Sequence, residues 1–192
     1  MKSNQYGLRL LGALVAGLVN AAVASPFSSE ASNGAALDWQ QWRPVGSAQL
    51  SWWFFDIYQS HLLTPSGQYQ AQTDISPHPL ALSIHYQRDI DRLELLQATA
   101  DQWQKLGYSK ADVDRWLAQL ESIFPDVRQG QQLAYVTDGR RGQFYFAEQQ
   151  KPFQAIGHIG DERLNDAFLA IWLSPKTTYP DLRRQLIGAH HD

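Results

Sequence analysis

Two tyrosines and one charged segment are the side chains best suited to contact a small molecule. Tyr58 and Tyr86 each combine an aromatic ring with a hydroxyl group, which suits a cleft that is otherwise apolar. Arg88 opens the segment 88–94, Arg-Asp-Ile-Asp-Arg-Leu-Glu, between a predicted strand and a predicted helix. This segment supplies either charged groups at a pocket mouth, or an aspartate cap for the helix with locally paired arginines.

The sequence contains no recognised catalytic or metal-binding motif. It has no Gly-x-Ser-x-Gly elbow, and the absence of cysteine excludes a thiol nucleophile, a disulfide framework and cysteine-ligated metals. None of the six histidines stands in a known metal-ligand spacing; they are His61, His78, His85, His158, His190 and His191. We therefore expect no metal and no cofactor.

The first 24 residues have the features of a secretory signal peptide. Lys2 and Arg9 lead into an apolar run at 10–19, and Ala22-Val23-Ala24 forms a small-x-small cleavage site. The alternative is an uncleaved anchor, but this run is shorter than the roughly 20 residues that a spanning helix needs. Because no cysteine follows the site, lipid attachment is not supported. We expect a cleaved signal and a location in a bacterial periplasm.

The mature chain is predicted to form one acidic globular domain. Signal cleavage leaves fourteen basic and nineteen acidic residues, a charge that disfavours nucleic acid as a partner. Residues 25–38 are small and polar and are expected to be a flexible leader. The domain then extends over 39–192, with no later run long enough to span a membrane, and its length and 44% hydrophobic content suit one domain.

The hydrophobic pattern predicts an α+β order of elements. Period-two alternation and turn residues predict strands at 46–63 in two pieces, 80–87, 133–137, 143–147 and 153–157. Spacings of three and four predict helices at 93–106, from Ser109 to Phe124, from Asp161 to Ser174 and at 180–186. Hairpin connections join the last three strands, which indicates an antiparallel sheet with helices on one face.

The following segments occur in this order along the chain: Trp103-Gln104-Lys105-Leu106-Gly107-Tyr108, Ile123-Phe124-Pro125-Asp126, Gly130, Phe144-Tyr145-Phe146, Ala167-Phe168-Leu169-Ala170-Ile171-Trp172-Leu173-Ser174 and Leu186-Ile187-Gly188. Taken together, they resemble the chalcone isomerase-like family, in particular its exported bacterial branch. The resemblance covers about 46–188. It implies an open-faced β-sandwich, in which a large antiparallel sheet packs against a layer of helices.

The resemblance also implies where a chalcone isomerase site would lie. Those enzymes close a flavanone ring by intramolecular addition, with an early arginine that holds the oxyanion and with Tyr, Thr and Asn side chains that order ketone and water. Here the arginine position falls on Ala48 or on Trp42, beside Arg43. The tyrosine, asparagine and Ser/Thr positions fall near Asp91, Ala98 and Ile171. Since one missing oxyanion donor costs roughly 100-fold in rate, we expect no flavonoid-type activity.

Three hypotheses on function follow from the sequence. The first is a non-catalytic domain that binds a small apolar or aromatic ligand, such as the fatty acids bound by some relatives of this family. The second is an intramolecular lyase or isomerase with a rearranged site. The third is a structural partner for another envelope protein. The candidate ligand-binding residues are Arg43, Tyr58, Tyr86 and Arg88.

Overall fold

The computed structural model describes residues 38–52, 55–70 and 72–189. The predicted signal peptide at 1–24 and all of the predicted leader except Asp38 lie outside these residues, as does the tail His190-His191-Asp192. The predictions for these segments therefore stay predictions. Within the described ranges, no helix combines the length and apolar character required to cross a membrane.

The described residues form six strands, four α-helices and one short 3-10 helix. The strands are β1 (Arg43–Trp52), β2 (Phe55–Thr64), β3 (Leu80–Tyr86), β4 (Gln132–Thr137), β5 (Gly142–Ala147) and β6 (Gln154–Ile159). The helices are α1 (Arg92–Leu106), α2 (Lys110–Glu121), α3 (Glu162–Leu173) and α4 (Pro180–Leu186), and the 3-10 helix is Trp39–Gln41.

All six strands lie in one antiparallel sheet in the order of the chain. The pair α1 and α2 is inserted between β3 and β4, and α3 and α4 follow β6. The helices cover one face of the sheet and share a single hydrophobic core with it. The predicted α+β fold, a large antiparallel sheet against a layer of helices, is confirmed.

Alternation along β3 determines which side chains enter this core. Leu80, Leu82, Ile84 and Tyr86 are all buried on the helix-facing side, as period two requires. Each is paired across the sheet with a residue that points the same way, so the predicted apolar face of the strand is continued by its neighbours. This places Tyr86 directly opposite a residue of β2, which is Tyr58.

A second, smaller cluster covers part of the opposite face of the sheet. Trp39 packs there on Ala81, Ala134 and Val136, and its ring meets Phe153 edge-on at 4.8 Å between centroids. The sequence placed the start of the domain near Trp39 but did not predict this contact, because a three-residue helix has no periodicity. Trp42, Leu63, Tyr145 and Phe153 pack against the same cluster, so this part of the opposite face is also apolar.

Helix α1 receives its N-terminal cap from outside its own segment. Asp91 occupies the cap position but its side chain makes no capping hydrogen bond. Instead, the backbone N–H of Arg92 donates to Asp126 Oδ1 at 2.8 Å. Asp89 is also engaged elsewhere, because it accepts from the backbone N–H of Gln129 at 2.9 Å. The predicted aspartate cap from within 88–94 was therefore wrong, and the cap comes from the chain after α2.

Most other predicted boundaries agree with the structure to within a few residues. Ser109 caps α2 as predicted, because its hydroxyl accepts from the backbone N–H of Asp112 at 3.2 Å. Helix α2 ends at Glu121, earlier than the predicted Phe124, and Phe124 reaches the core from the turn that follows. Strand β1 begins at Arg43, before the predicted residue 46, because it pairs with the full length of β2.

Candidate functional site

A cavity of about 270 Å³ lies between the sheet and the helices. Strands β1 to β4 form its floor, and α1, α3 and the segment before α4 form its walls. Its apolar lining residues are Leu50, Ile57, Ile84, Ile90, Leu95, Ala98, Phe124, Leu133, Phe168 and Ile171. The lining thus brings together side chains between residues 50 and 179, and the cavity has the apolar character of a small-molecule site.

Two tyrosines and one tryptophan add polar atoms to this apolar lining. Tyr58 and Tyr86 face each other across β2 and β3, with their rings edge to face at 6.3 Å between centroids. Trp172 on α3 donates a hydrogen bond of 2.9 Å from its Nε1 to the Tyr58 hydroxyl. This bond joins the helix layer to the sheet at the cavity wall.

Burial keeps both phenols in the neutral form. It raises the pKa of Tyr58 and the pKa of Tyr86 far above the ordinary tyrosine value, because an ionised phenolate loses its hydration there. The hydrogen bond from Trp172 acts in the opposite direction on the Tyr58 pKa, but it is the smaller effect. At any physiological pH each of the two groups therefore keeps a proton that it can donate.

An ion pair stands at the mouth of the cavity. Arg88 Nη2 lies 3.0 Å from Glu94 Oε1, and both side chains are about half exposed. The pair connects the end of β3 with the first turn of α1. Asp89, the neighbour of Arg88, pairs separately with Arg128 at 3.1 Å. The two charged groups of the cavity lining thus carry opposite signs and bond to each other.

The remaining polar groups of the lining are already engaged within the protein. Thr99 Oγ1 donates to the carbonyl oxygen of Leu95 at 2.8 Å, a bond within α1. Gln102 Oε1 accepts from Thr178 Oγ1 at 2.7 Å, and its Nε2 lies 3.5 Å from the Tyr179 hydroxyl. These bonds tie α1 to the segment before α4 and close one wall of the cavity.

Three of the four residues predicted to bind a ligand line this cavity, namely Tyr58, Tyr86 and Arg88. The fourth does not: Arg43 is exposed at the start of β1 and pairs with Thr64, whereas the cavity begins at Leu50. The two positions are seven apart along the extended strand, which corresponds to roughly 20 Å. The structure therefore brings Arg43 together with none of the other candidates.

Glu94 belongs to the segment 88–94, for which charged groups at a pocket mouth were one of the two predictions, and it lines the cavity. Sequence reasoning missed two other residues that shape the site. Trp172 and Gln102 lie on helices, where helical spacing marked only core or solvated positions. Their roles depend on partners that are far away in the sequence. A polar end on an otherwise apolar helical face, as in Trp172, was the only signal that could have indicated one of them.

Two of the positions to which the family resemblance assigned polar side chains also lie at the cavity. Ala98 and Ile171 stand near the positions predicted for the family asparagine and Ser/Thr, and both are lining residues. Asp91, near the tyrosine position, is not. At these two positions the family resemblance implies polar side chains around a substrate, but Ala98 and Ile171 have apolar ones.

Two other clefts in the described part of the chain are polar and more open. One, of about 370 Å³, lies around His85, Gln87 and Gln129, and the other, of about 360 Å³, around Asp74, Asp138 and Glu162. Both exceed the central cavity in volume, but neither encloses an apolar lining, so the central cavity is the better candidate for a small-molecule site. Over residues 38–52, 55–70 and 72–189, no three His, Asp or Glu side chains are grouped to hold a metal ion.

Two comparisons with known proteins bear on the family of this chain. Residues 45–188 match the model of a family described as chalcone isomerase-like. A protein of Haemophilus influenzae, named only as an uncharacterized protein, is 29% identical over 153 residues, which is 80% of this chain and 71% of that protein. The family match spans the whole sheet after the bulge in β1 and all four helices. By this match the chain belongs to the chalcone isomerase-like family, as its sequence predicted.

Proposed function

We propose that this protein binds a small apolar or aromatic molecule in the cavity between sheet and helices, without turning it over. The observation that carries the proposal is an apolar cavity lined from both layers, with Tyr86 buried and Tyr58 half-buried at its wall. Sites for small molecules are mostly apolar and contain a few placed polar groups. The cavity has this composition.

The volume of the cavity limits the size of the ligand. An apolar cavity of about 150 Å³ holds a benzene molecule, and pockets for drug-sized ligands start at about 300 Å³. At about 270 Å³ the cavity suits a ligand of one or two rings, or a medium-length hydrocarbon chain.

The charges around the cavity support binding rather than catalysis. Stabilising an oxyanion requires a donor or cation that points at the developing charge. Arg43, one cation considered for a rearranged isomerase site, lies at the far end of β1, and Arg88 is paired with Glu94. At two positions where the family enzymes order their substrate, this chain has Ala98 and Ile171. The isomerase hypothesis therefore lacks an available cation among the described lining residues.

Native mass spectrometry of the purified protein tests binding directly. We expect a co-purified small molecule, released as an apolar or aromatic compound when the protein is denatured. The purified protein should also bind the uncharged dye 1-N-phenylnaphthylamine with a rise in fluorescence. Absence of any bound compound, together with no dye binding at micromolar concentrations, would refute the proposal.

A pair of matched variants locates the binding site. Ala98 is an exposed residue of α1 at the cavity, so that Ala98→Phe fills its entrance without disturbing the core. The adjacent residue Gln97 is also exposed but does not line the cavity, so that Gln97→Phe adds the same ring outside it. Dye binding should fall at least tenfold in the first variant and stay unchanged in the second. Equal effects of the two substitutions would place the dye elsewhere.

We also propose that the protein acts in a bacterial periplasm, after cleavage between Ala24 and Ser25. The support is the order of basic residues, apolar run and small residues at 1–24. Mass spectrometry of the protein taken from cells should give an N-terminus that reads Ser25-Pro26-Phe27. An intact Met1 on exported protein would refute this.

A further inference from the structure

The hydroxyl of Tyr86 has no hydrogen-bond partner among the described residues, although the residue is only 4% exposed. Its oxygen is not fully enclosed, because Trp116 Nε1 is the one fully enclosed side-chain polar atom without a partner in the described part of the chain. An accessible phenol that is unpaired within the protein can donate its proton to a ligand. Tyr86 belongs to the cavity lining, so that the place where a partner would sit is the cavity itself.

The hydroxyl of the neighbouring Tyr58 also has an unused hydrogen-bond donor. Its oxygen accepts from Trp172 Nε1, but no described group accepts the proton of its hydroxyl. A phenol is both a donor and an acceptor, and here only the acceptor function is used. The two tyrosines, paired directly across β2 and β3, therefore present two O–H donors to the same cavity.

The cavity lining offers no uncompensated charge. Arg88 and Glu94 are the two ionisable groups of opposite sign in the lining, and they bond to each other at the mouth. A buried carboxylate without a cation is strongly disfavoured. Glu94 already neutralises Arg88, so that a carboxylate ligand would meet a pair without net charge, whereas an uncharged ligand needs no counter-charge.

We propose that the cavity selects an uncharged ligand whose apolar body carries one hydrogen-bond-accepting oxygen, such as the carbonyl of a ketone or ester. Tyr86 donates its hydroxyl proton to this oxygen, and Tyr58, held in place by Trp172, is the second donor. The inference rests on the proposed binding function and names its ligand class. Neither tyrosine stands at a position to which the family resemblance assigns a role, so these donors are a property of this chain.

Three probes with the same two-ring skeleton test the inference. Diphenylmethane has no acceptor, benzophenone has one carbonyl oxygen, and diphenylacetate has a charged carboxylate. Their affinities for the full mature protein can be measured by displacement of the fluorescent dye. We expect the wild type to bind benzophenone about tenfold more tightly than diphenylmethane, the gain of one buried hydrogen bond, and to bind diphenylacetate most weakly.

Variants that lack one hydroxyl assign the effect to a residue. In Tyr86→Phe the preference for benzophenone should fall to near parity, while affinity for diphenylmethane stays the same. Tyr58→Phe should reduce the preference by a smaller factor. Tyr145→Phe is the matched control, because Tyr145 is a half-buried tyrosine on the opposite face of the sheet, outside the cavity. It should keep the full preference.

The outcomes separate this inference from the proposed function. Equal binding of diphenylmethane and benzophenone, or tightest binding of diphenylacetate, would overturn the inference and leave ligand binding standing. Equal weakening of both neutral probes by Tyr86→Phe would also overturn it, since the hydroxyl would then have only a structural role. If none of the three probes bound, and the dye did not bind either, the proposed function itself would fail.

Discussion

Trp172 on α3 and Tyr58 on β2 are 114 positions apart in the sequence and are joined by one hydrogen bond of 2.9 Å. The bond crosses from the helix layer to the sheet beside the cavity. It occupies the tryptophan N–H fully and fixes the position of the Tyr58 ring. The same two layers are also joined by the Tyr135 hydroxyl, which donates to Asn165 Oδ1 at 2.8 Å. A double-mutant cycle can isolate the strength of the Trp172–Tyr58 bond from the other contacts.

A double-mutant cycle on this pair should show coupling. Tyr58→Phe and Trp172→Phe each remove one partner, and the double variant removes both. We expect the losses in unfolding free energy to be non-additive by about 1 kcal/mol, the net value of a buried hydrogen bond. Urea unfolding monitored by circular dichroism measures each term. Strict additivity would mean that the bond contributes nothing to stability.

The unusual cap of α1 predicts unequal effects of two aspartates. Asp126→Ala removes the acceptor of the Arg92 N–H and should cost about 1 kcal/mol of stability, as is typical of a lost N-terminal cap. Asp91→Ala alters the residue at the cap position, which makes no capping bond, and should cost less. Thermal melting of both variants gives the comparison. A larger loss for Asp91→Ala would contradict the assigned cap.

Asp166 and Asp138 should have opposite effects on the pH dependence of stability. Burial raises the pKa of Asp166, despite the stabilising hydrogen bond from Ser76. The folded protein favours the protonated form of Asp166. Its contribution to the free energy of folding is therefore complete below the unfolded-state pKa of about 4, and it is lost as the pH rises through the folded-state pKa. Relative to wild type, Asp166→Asn should therefore gain stability from pH 3 to pH 7.

Asp138 supplies the control with the opposite sign. Backbone N–H donors, first that of Arg141, lower the pKa of Asp138. The contribution of the ionised Asp138 carboxylate to folding stability is present above the unfolded-state pKa. It is lost as the pH falls through the folded-state pKa. Asp138→Asn should therefore cost stability at pH 7 and little at pH 2. Parallel pH profiles for the two variants, from urea unfolding, would contradict both assignments.

Gly46 should tolerate no side chain, because α4 lies directly against it. A Cβ atom at this position would clash with the backbone carbonyl oxygens of Gln185 and Leu186, which cannot move without shifting the helix. We expect Gly46→Ala to destabilise the protein by roughly 2 to 3 kcal/mol, as overpacking does. Gly160 is the control, because a Cβ there meets no atom within 4 Å. Gly160→Ala should change the melting temperature little.

The ion pair at the cavity mouth should lower the affinity of the protein for carboxylate ligands. Glu94→Gln releases Arg88 from its partner, so that the affinity for diphenylacetate should rise several-fold at low salt. Unfolding free energy should change by less than about 1 kcal/mol, since the pair is half exposed. Glu121→Gln, at an exposed position on α2 outside the cavity, serves as control. No gain in carboxylate affinity would mean that Arg88 does not face the ligand.

The elements of this fold could be predicted because their signals are local. Alternation at 80–87 predicted β3, and the caps Ser109 and Asp161 predicted where two helices begin. The cap of α1 could not be predicted in the same way, because its acceptor, Asp126, follows a different helix. Contacts between distant segments leave no periodic trace in either segment.

The same distinction between local signals and long-range contacts applies to the candidate site. The sequence by itself determined the α+β order of elements, the family and two tyrosines with the chemistry of a ligand site. Only the tertiary structure decided that Tyr58 and Tyr86 face one cavity, that Trp172 and Glu94 complete it and that Arg43 lies far away. The reason is that antiparallel register and helix docking bring together side chains whose spacing along the chain carries no information about their separation in space.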